Sequence, residues 1–211
     1  MTKEYSTTSE ASETYTDKTK AILDAAIKVF SDKGYYGSRV SDIAQEAGIA
    51  YGLVYHYFKK KEDLLISIFN TRWKELLDAI KNTKEEMDDP REMLRKIISF
   101  IFHSYKNNPN MIKVMVVDVA KSTSFFNGDN VRHFTDAFTL LSEIIKMGQK
   151  KGIFKKDIDS ILAAYAVYGS IERIMLRWIL EDTKSITDSE AKSATNMLTS
   201  IVLSGLDTGP D

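Results

Sequence analysis

Apolar residues recur at helical spacing along almost every long segment of the chain, and this periodicity is the feature that most restricts the fold. Proline occurs only at positions 90, 109 and 210, so few points force a helix to break. No segment shows a convincing alternation of apolar and polar residues, which is the pattern of a half-buried strand. The sequence therefore predicts an all-α protein of about nine helices.

Local start and stop signals divide the chain into these helices. Gly34, Gly48 and Gly152 are expected to end helices, whereas Ser38 is expected to cap the second helix and Pro90 to open the fifth. The predicted helices cover about 16–33, 38–47, 50–57, 62 into the eighties, 90–107, 110–121, 130–151, 158–181 and 187–204, with a turn at 127–129. Residues 1–17 are rich in Ser, Thr and Glu, a composition that predicts a flexible arm.

The inventory of reactive residues leaves little room for enzyme chemistry. The formal net charge is −1, Cys is absent, and the three His residues are far apart in the sequence. No HExxH, P-loop or GxGxxG pattern occurs, so we predict no metal site, no cofactor and no catalytic set. The lack of Cys fits a reducing cytoplasm. No stretch reaches the ~18 uncharged apolar residues of a membrane span, so no membrane association is expected.

Residues 38–58 carry the main functional signal. Two short predicted helices joined by a Gly-containing turn are typical of a helix-turn-helix, the motif that lays its second helix in the major groove of DNA. Ala44 and Ala47 are small where the two helices must cross. Gly48 can take the positive φ that the turn needs, and Ile49 can fill the space between the helices. This segment therefore predicts binding to double-stranded DNA.

The second helix of the motif has two different faces. At ~100° per residue, Val54 and Phe58 fall on one face. Gly52 and His56 fall on the opposite face, where Gly lets the backbone approach DNA and His offers hydrogen bonds to base edges. Basic residues, which suit passing phosphates, stand at both ends of this helix: Arg39, Lys59, Lys60 and Lys61.

The stretch 22–65 resembles the DNA-binding domain of the tetracycline-repressor (TetR) family. The matching segments are ILDAAIKVF at 22–30, KGY at 33–35, VSDIA at 40–44, AGI at 47–49, GLVYHYF at 52–58 and KEDLL at 61–65. The resemblance implies a homodimeric repressor on a palindromic operator, with a DNA-binding domain at 18–64 and a ligand-binding and dimerisation domain at 65–211. The sequence departs from the family at Ala50, where a hydroxyl residue is usual, and at Leu53, where a small residue is frequent.

The resemblance also implies the contacts with DNA, position by position. Arg39 and Ser41 would touch phosphates at the start of the second helix, and Lys61 would meet a phosphate at the start of the fourth. The residues that would face the major groove are Tyr51, Gly52, Leu53 and His56. Those that would reach backbone oxygens are Tyr55 and Tyr57.

The second predicted domain contains the candidate effector and dimer residues. The candidates for contact with a hydrophobic effector are Phe100, His103, Met115, Asp118, Phe138, Tyr165, Tyr168 and Arg173. The candidates for the dimer interface, on the last two helices, are Ala166, Gly169, Ser170, Ile174, Trp178, Met197 and Ile201. At three of these positions a structural role is the alternative to effector binding. His103 can be a core histidine, Asp118 can face solvent, and Arg173 can pair with a neighbouring carboxylate.

The effector itself is suggested by a shorter resemblance. Residues 148–154, 168–173 and Trp178 resemble the C-terminal region of fatty-acid-degradation (FadR-like) members of the family. This resemblance implies a long apolar effector, such as a fatty acyl chain or its CoA thioester. A multidrug-responsive repressor of an efflux gene fits the composition nearly as well. A helical enzyme and a helical adaptor protein are the alternatives from other functional classes, and sequence-specific DNA binding would exclude both.

Overall fold

A computed structural model describes the backbone of residues 5–119, 129–181, 183 and 185–208, with side chains described at 16–119, 135–181, 183 and 185–208. Within these ranges the chain forms nine α-helices and one π-helical turn, which confirms the predicted all-α fold. The helices are α1 (Tyr5–Lys33), α2 (Val40–Glu46), α3 (Tyr51–Tyr57), α4 (Lys61–Glu86), α5 (Pro90–Asn107), α6 (Pro109–Lys113), α7 (Asp129–Lys150), α8 (Ser160–Leu180) and α9 (Asp188–Leu206), with the π-helical turn at Val114–Asp118. The predicted turn at 127–128 and the predicted helix end at 121 lie outside the described residues.

The chain divides into two compact units, Met1–Phe69 and Asn70–Asp211, and α4 contributes residues to both. In the first unit, α1, α2, α3 and the first turns of α4 share one apolar core. The most deeply buried side chains of this core are Ile22, Ala26, Phe30, Ile43, Val54, Leu64 and Leu65. Removal of these side chains from water is the main force that holds the four helical segments together.

Two helix starts in the first unit differ from the prediction. Helix α1 begins at Tyr5, within the segment predicted as a flexible arm, because no Pro or Gly interrupts the chain between residues 5 and 17. Helix α2 is capped at Arg39 instead of Ser38. The Arg39 N–H donates to the carboxylate of Asp42 at 2.9 Å, whereas the Ser38 hydroxyl donates backwards to the Tyr35 carbonyl at 2.7 Å.

In the second unit, α5 packs against α9, α7 and α8. Its apolar stripe is buried along the whole helix and includes Met93, Leu94, Ile97, Ile98, Ile101, Phe102 and Tyr105. As predicted, Pro90 opens this helix, and the Asp89 carboxylate caps it by accepting the Arg91 N–H at 2.9 Å. None of the described helices is long and apolar enough to cross a membrane.

Two other predicted helices change form. The sixth predicted helix becomes a short α-helix that widens into the π-helical turn, a local change that sequence periodicity does not reveal. The ninth was predicted to stop before Gly205, but it continues through Gly205 to Leu206. The carbonyl of Leu206 then accepts the Lys155 N–H at 2.8 Å, so the end of α9 is held by the loop that follows α7.

That loop is centred on a close contact between Gly148 and Phe154. The Gly148 carbonyl accepts the N–H groups of Ile153 and Phe154 at 2.9 and 3.1 Å, and the ring of Phe154 is completely buried. A Cβ atom on Gly148 would lie 2.1 Å from the Phe154 ring. Only glycine therefore allows the ring to lie across the last turns of α7.

Gly148→Ala is expected to lower the free energy of unfolding by about 1–3 kcal/mol, because the added methyl group must displace a fully buried ring. Urea unfolding followed by circular dichroism measures the change. Gly205→Ala is the matched control, since the added Cβ in α9 meets no atom within 4 Å among the described residues. An equal response of the two variants would contradict the proposed packing of Phe154.

Candidate functional site

The turn between α2 and α3 sets the angle between these two helices, as in a helix-turn-helix. The Ile49 N–H donates to the Ala44 carbonyl at 3.0 Å, and Gly48 has a φ of +66°. Ala44 is buried at the crossing, as its small size predicted. The geometry of the motif thus comes from local hydrogen bonds and from residues that the sequence analysis singled out.

Two ion pairs attach α2 to α1. Lys28 pairs with Glu46 at 2.6 Å, and Lys33 pairs with Asp42 at 3.0 Å. The hydrogen bond from Lys33 and the backbone N–H of Arg39 together hold the pKa of Asp42 below its ordinary value. These pairs are exposed, so their contribution to stability is small, but they favour one placement of α2 on α1.

The outward face of α3 carries the predicted recognition residues. Tyr51, Gly52, Tyr55 and His56 are exposed, whereas Val54 is buried against α2. The two Tyr rings meet edge to face with centroids 5.2 Å apart, and the Tyr51 and Tyr55 hydroxyl groups are hydrogen-bonded to each other at 3.2 Å. This hydrogen bond raises the pKa of Tyr55. Both side chains are thereby arranged as one polar and aromatic surface.

The glycine on this face is not required by the packing of the chain. A Cβ atom at Gly52 would meet no atom within 4 Å among the described residues, and the position has no positive φ. Gly inside a helix costs about 1 kcal/mol relative to Ala. A Gly that the packing of the helix does not require allows a partner's atoms to approach the backbone closely.

The remaining predicted DNA contacts fall into two groups. Arg39 and Ser41 are exposed at the start of α2, and Lys59 and Lys60 are exposed between α3 and α4. Leu53 and Tyr57 are only partly exposed, at the margins of the outward face of α3.

Lys61 differs from these residues because its ammonium group is directed into the first unit. It donates to the carbonyl oxygens of Tyr35 and Ser38 at 2.6 and 2.9 Å. The predicted phosphate contact of Lys61 therefore competes with two hydrogen bonds inside the protein.

Three of the eight predicted effector residues meet in one aromatic cluster. Phe138 stacks on Tyr165 with centroids 3.9 Å apart, and Tyr168 meets both Phe138 and Trp73 edge to face. Burial and the nearby Glu172 raise the pKa of the Tyr168 hydroxyl. Trp73 was missed by the sequence analysis, although a Trp in the apolar stripe of α4 is a usable signal of an aromatic cluster.

A second group of predicted effector residues lines a groove between α5 and α9. The groove has a volume of about 640 Å³ and contains Phe100 and His103. One ring nitrogen of His103, Nδ1, lies 2.8 Å from the Ser99 carbonyl, and Nε2 faces Asp188 at 3.8 Å. Charged side chains that the sequence analysis did not select also line the groove, namely Glu92, Arg95, Lys96 and Lys192.

The other three predicted effector residues lie elsewhere. Asp118 is buried in the π-helical turn, which argues against the reading that it faces solvent, and Met115 is half-buried in the same turn. Arg173 is exposed on α8. A helical sequence pattern assigns each residue to a face but does not say which faces meet, so a shared role of these residues with the aromatic cluster stays a prediction.

Large apolar side chains remain exposed on α8 and α9. Met197 and Ile201 on α9 are 47% and 59% exposed. On α8, Ala166 is exposed, whereas Gly169, Ser170 and Ile174 are half-buried. Further exposed residues that the sequence analysis did not select are Leu162 and Leu180, at 68% and 76%. These exposed apolar side chains lie on the two helices that were predicted to form the dimer interface.

Trp178, which was also predicted to lie at the dimer interface, is half-buried. Its ring packs against Phe102 and Tyr105 of α5, with centroid distances of 5.4 and 5.2 Å. The side chain is therefore held largely within its own domain, because α8 presents one apolar face to α5 and another to solvent.

Comparison with known families agrees with this architecture. The model of bacterial regulatory proteins of the tetR family matches residues 22–68, and that of the C-terminal region of YsiA-like proteins matches residues 69–201. The chain belongs to the TetR family. TetR-family relatives are transcriptional regulators and repressors, so the chain is a DNA-binding transcriptional regulator and not an enzyme, as the sequence predicted.

Relatives within the TetR family cover most of the chain. The fatty acid metabolism regulator protein of Bacillus subtilis (strain 168) is 30% identical, over 77% of this chain and 84% of that protein. The structure of the fatty acid degradation regulator FadR from Bacillus halodurans has a TM-score of 0.81 at 27% identity, over 89% of this chain and 95% of that one. The structure of FadR from Bacillus subtilis in complex with stearoyl-CoA has a TM-score of 0.79 at 28% identity, over 88% and 98%.

Proposed function

We propose that the chain is a homodimeric repressor that binds a palindromic operator and is released by a long-chain fatty acyl-CoA. Such a regulator works on chromosomal DNA and hence in the cytoplasm. The observation that carries the DNA-binding part is the exposed face of α3, with an open position at Gly52 and exposed cations at both ends of the motif. The observation that carries the effector part is the similarity of most of the chain to regulators of fatty acid metabolism and degradation.

The proposed contacts with DNA follow from the exposed positions. His56 and the Tyr51–Tyr55 pair offer hydrogen bonds to base edges and backbone oxygens, and Gly52 lets the backbone of α3 enter the groove. Arg39 and Ser41 contribute phosphate contacts that orient α3 but carry no sequence information. Leu53 and Tyr57 add contacts with DNA at the edges of the outward face of α3.

The exposed apolar face of α8 and α9 supports the proposed dimer. A two-fold axis would place this face of one protomer against the same face of its partner, around residues such as Ile201 and Leu162. Two recognition helices related by such an axis would meet half-sites about one helical turn, roughly 34 Å, apart. A palindromic operator is the DNA counterpart of this symmetry.

Release by an effector requires a difference in affinity between two states of the dimer. An acyl-CoA that binds the DNA-competent and incompetent forms equally would change nothing, however tightly it binds. An acyl chain is suited to the second unit because flexible apolar guests are stabilised by aromatic side chains such as Phe138, Tyr165 and Tyr168. The strength of release should then grow with the length of the buried chain.

Operator binding titrated against CoA thioesters of increasing chain length, from butyryl to stearoyl, tests the effector. Each added CH₂ contributes up to about 0.8 kcal/mol, so the concentration for half-release is expected to fall steeply with length until the chain exceeds the available space. CoA without an acyl chain is the control and is expected to leave binding unchanged. A flat response across the series rejects the acyl-CoA proposal, and release by hydrophobic cations instead would favour a multidrug-responsive repressor.

A further inference from the structure

The side chain of Lys61 joins the first turn of α4 to the loop between α1 and α2. The Lys61 ammonium donates to the carbonyl oxygens of Tyr35 and Ser38 at 2.6 and 2.9 Å. It also lies over the face of the Tyr35 ring, 4.3 Å from the centroid. Three interactions thus converge on one cation, 26 positions along the chain from Tyr35.

The loop that Lys61 reaches is built to stay close to α1. Tyr35 packs edge to face on the buried Phe30 of α1, with centroids 5.4 Å apart. A Cβ atom on Gly37 would lie 2.6 Å from the Lys33 carbonyl, so only glycine allows this approach. The buried Ser38 adds a hydroxyl bond to the Tyr35 carbonyl, the same oxygen that accepts from Lys61.

The loop leads directly into the DNA-binding motif. Ser38 is followed by Arg39, the N-cap of α2, whose N–H is held by Asp42. Helix α2 in turn packs against α3. The position of the Ser38 carbonyl therefore determines where α2 begins, and with it the placement of Arg39 and of the exposed face of α3.

We infer that Lys61 is a positioning residue for DNA binding, which acts by clamping the Tyr35–Ser38 backbone to the first turn of α4 and not by binding a phosphate. A lysine ammonium has three N–H donors, and two of them are committed to carbonyl oxygens. Withdrawing the ammonium toward a phosphate would break both charge-assisted bonds and the contact with the ring. This inference rests on the proposed role of the α2–α3 motif in DNA binding.

Operator affinity measured at several salt concentrations separates the two roles of Lys61. Lys61→Met, without the clamp, is expected to bind about tenfold more weakly at fixed salt. Lys61→Gln, whose amide can still donate to one carbonyl, is expected to lose less. Lys60→Met is the matched control, because it removes the same charge from the adjacent exposed position without touching the clamp. The slope of log K against log salt in Lys61→Met should stay near its wild-type value, because no phosphate contact is lost.

A direct bond from Lys61 to a phosphate predicts a different pattern. Both Lys61 variants would then bind the operator equally weakly, and the slope would become shallower than the wild-type slope by about 0.9 for each phosphate that the protein no longer neutralises. That pattern overturns the inference, as does wild-type affinity in Lys61→Met. If Lys61→Met does not fold, Lys61→Gln carries the same comparison.

Amide hydrogen exchange of the free protein tests the clamp without DNA. The Ser38 and Asp42 amides are expected to exchange faster in Lys61→Met than in the wild type and in Lys60→Met. Equal exchange rates of these amides in Lys61→Met and in the wild type would overturn the proposed clamp. Failure of the wild-type protein to bind any DNA would instead reject the proposed function, and the exchange result would still decide whether Lys61 holds the loop.

Discussion

Gly52→Ala is expected to make the protein more stable and, at the same time, a much weaker binder of its operator. Ala is favoured over Gly in a helix, and a Cβ at this position meets no atom within 4 Å among the described residues, so the free energy of unfolding should rise by about 0.5–1 kcal/mol. The same methyl group would stand between α3 and the floor of the major groove. An extra methyl in close-packed contact costs about 1–3 kcal/mol, and a dimer meets it twice, so the affinity should fall at least about 30-fold.

Two measurements on the same variant check this expectation. Urea unfolding gives the change in stability, and fluorescence anisotropy with labelled operator gives the change in affinity. The opposite signs separate a clash at the interface from general damage to the fold, because a damaged variant would lose both stability and affinity. Wild-type affinity in a stabilised Gly52→Ala protein would mean that this face of α3 does not contact DNA.

Ile201→Glu is expected to convert the dimer to a folded monomer and to abolish tight operator binding. Ile201 is 59% exposed in the protomer, so a carboxylate there remains solvated when the protomer is alone. In the proposed dimer the substitution would bury two unpaired charges near the two-fold axis, at a cost of several kcal/mol. Dimerisation should weaken at least about 100-fold, and operator binding should weaken with it because the two half-sites are no longer bound together.

Sedimentation over a range of protein concentrations measures this change, and circular dichroism checks that the monomer is folded. Asn196→Glu is the matched control, since it adds the same charge to the same helix on the side that faces Arg95, which donates to the Asn196 side chain at 3.2 Å. A wild-type dimer constant in Ile201→Glu would show that the protomers meet through another surface.

The helix-turn-helix could be predicted from sequence because its determinants are local. Gly48, Ala44 and Val54 each lie within a few residues of the contacts that require them, so their types and spacing carry the geometry. The hydrogen bonds of Lys61 could not be predicted from the sequence. Their acceptors lie 26 and 23 positions away and are backbone carbonyl oxygens, which every residue carries.

The second unit was harder to predict because helical periodicity gives faces and not neighbours. Helix α8 is apolar on more than one side, so Trp178 could be assigned equally well to a dimer surface or to the core; it packs on Phe102 and Tyr105. For the same reason, the sequence could not show that Phe100 lines a groove between α5 and α9, whereas Phe138 stacks on Tyr165. The start of α2 was misplaced because Ser is a more common N-cap residue than Arg. In the structure, the hydrogen bond from the Arg39 N–H to the Asp42 carboxylate places the N-cap at Arg39.

Sequencing the genomic DNA fragments that the purified protein retains, with and without stearoyl-CoA, tests the central claim most directly. The expected result is one enriched palindromic motif, with half-sites about one helical turn apart, whose enrichment disappears when the acyl-CoA is added. Retention of fragments without a common motif would contradict specific operator binding, and a motif enriched equally in both samples would contradict its control by an acyl-CoA.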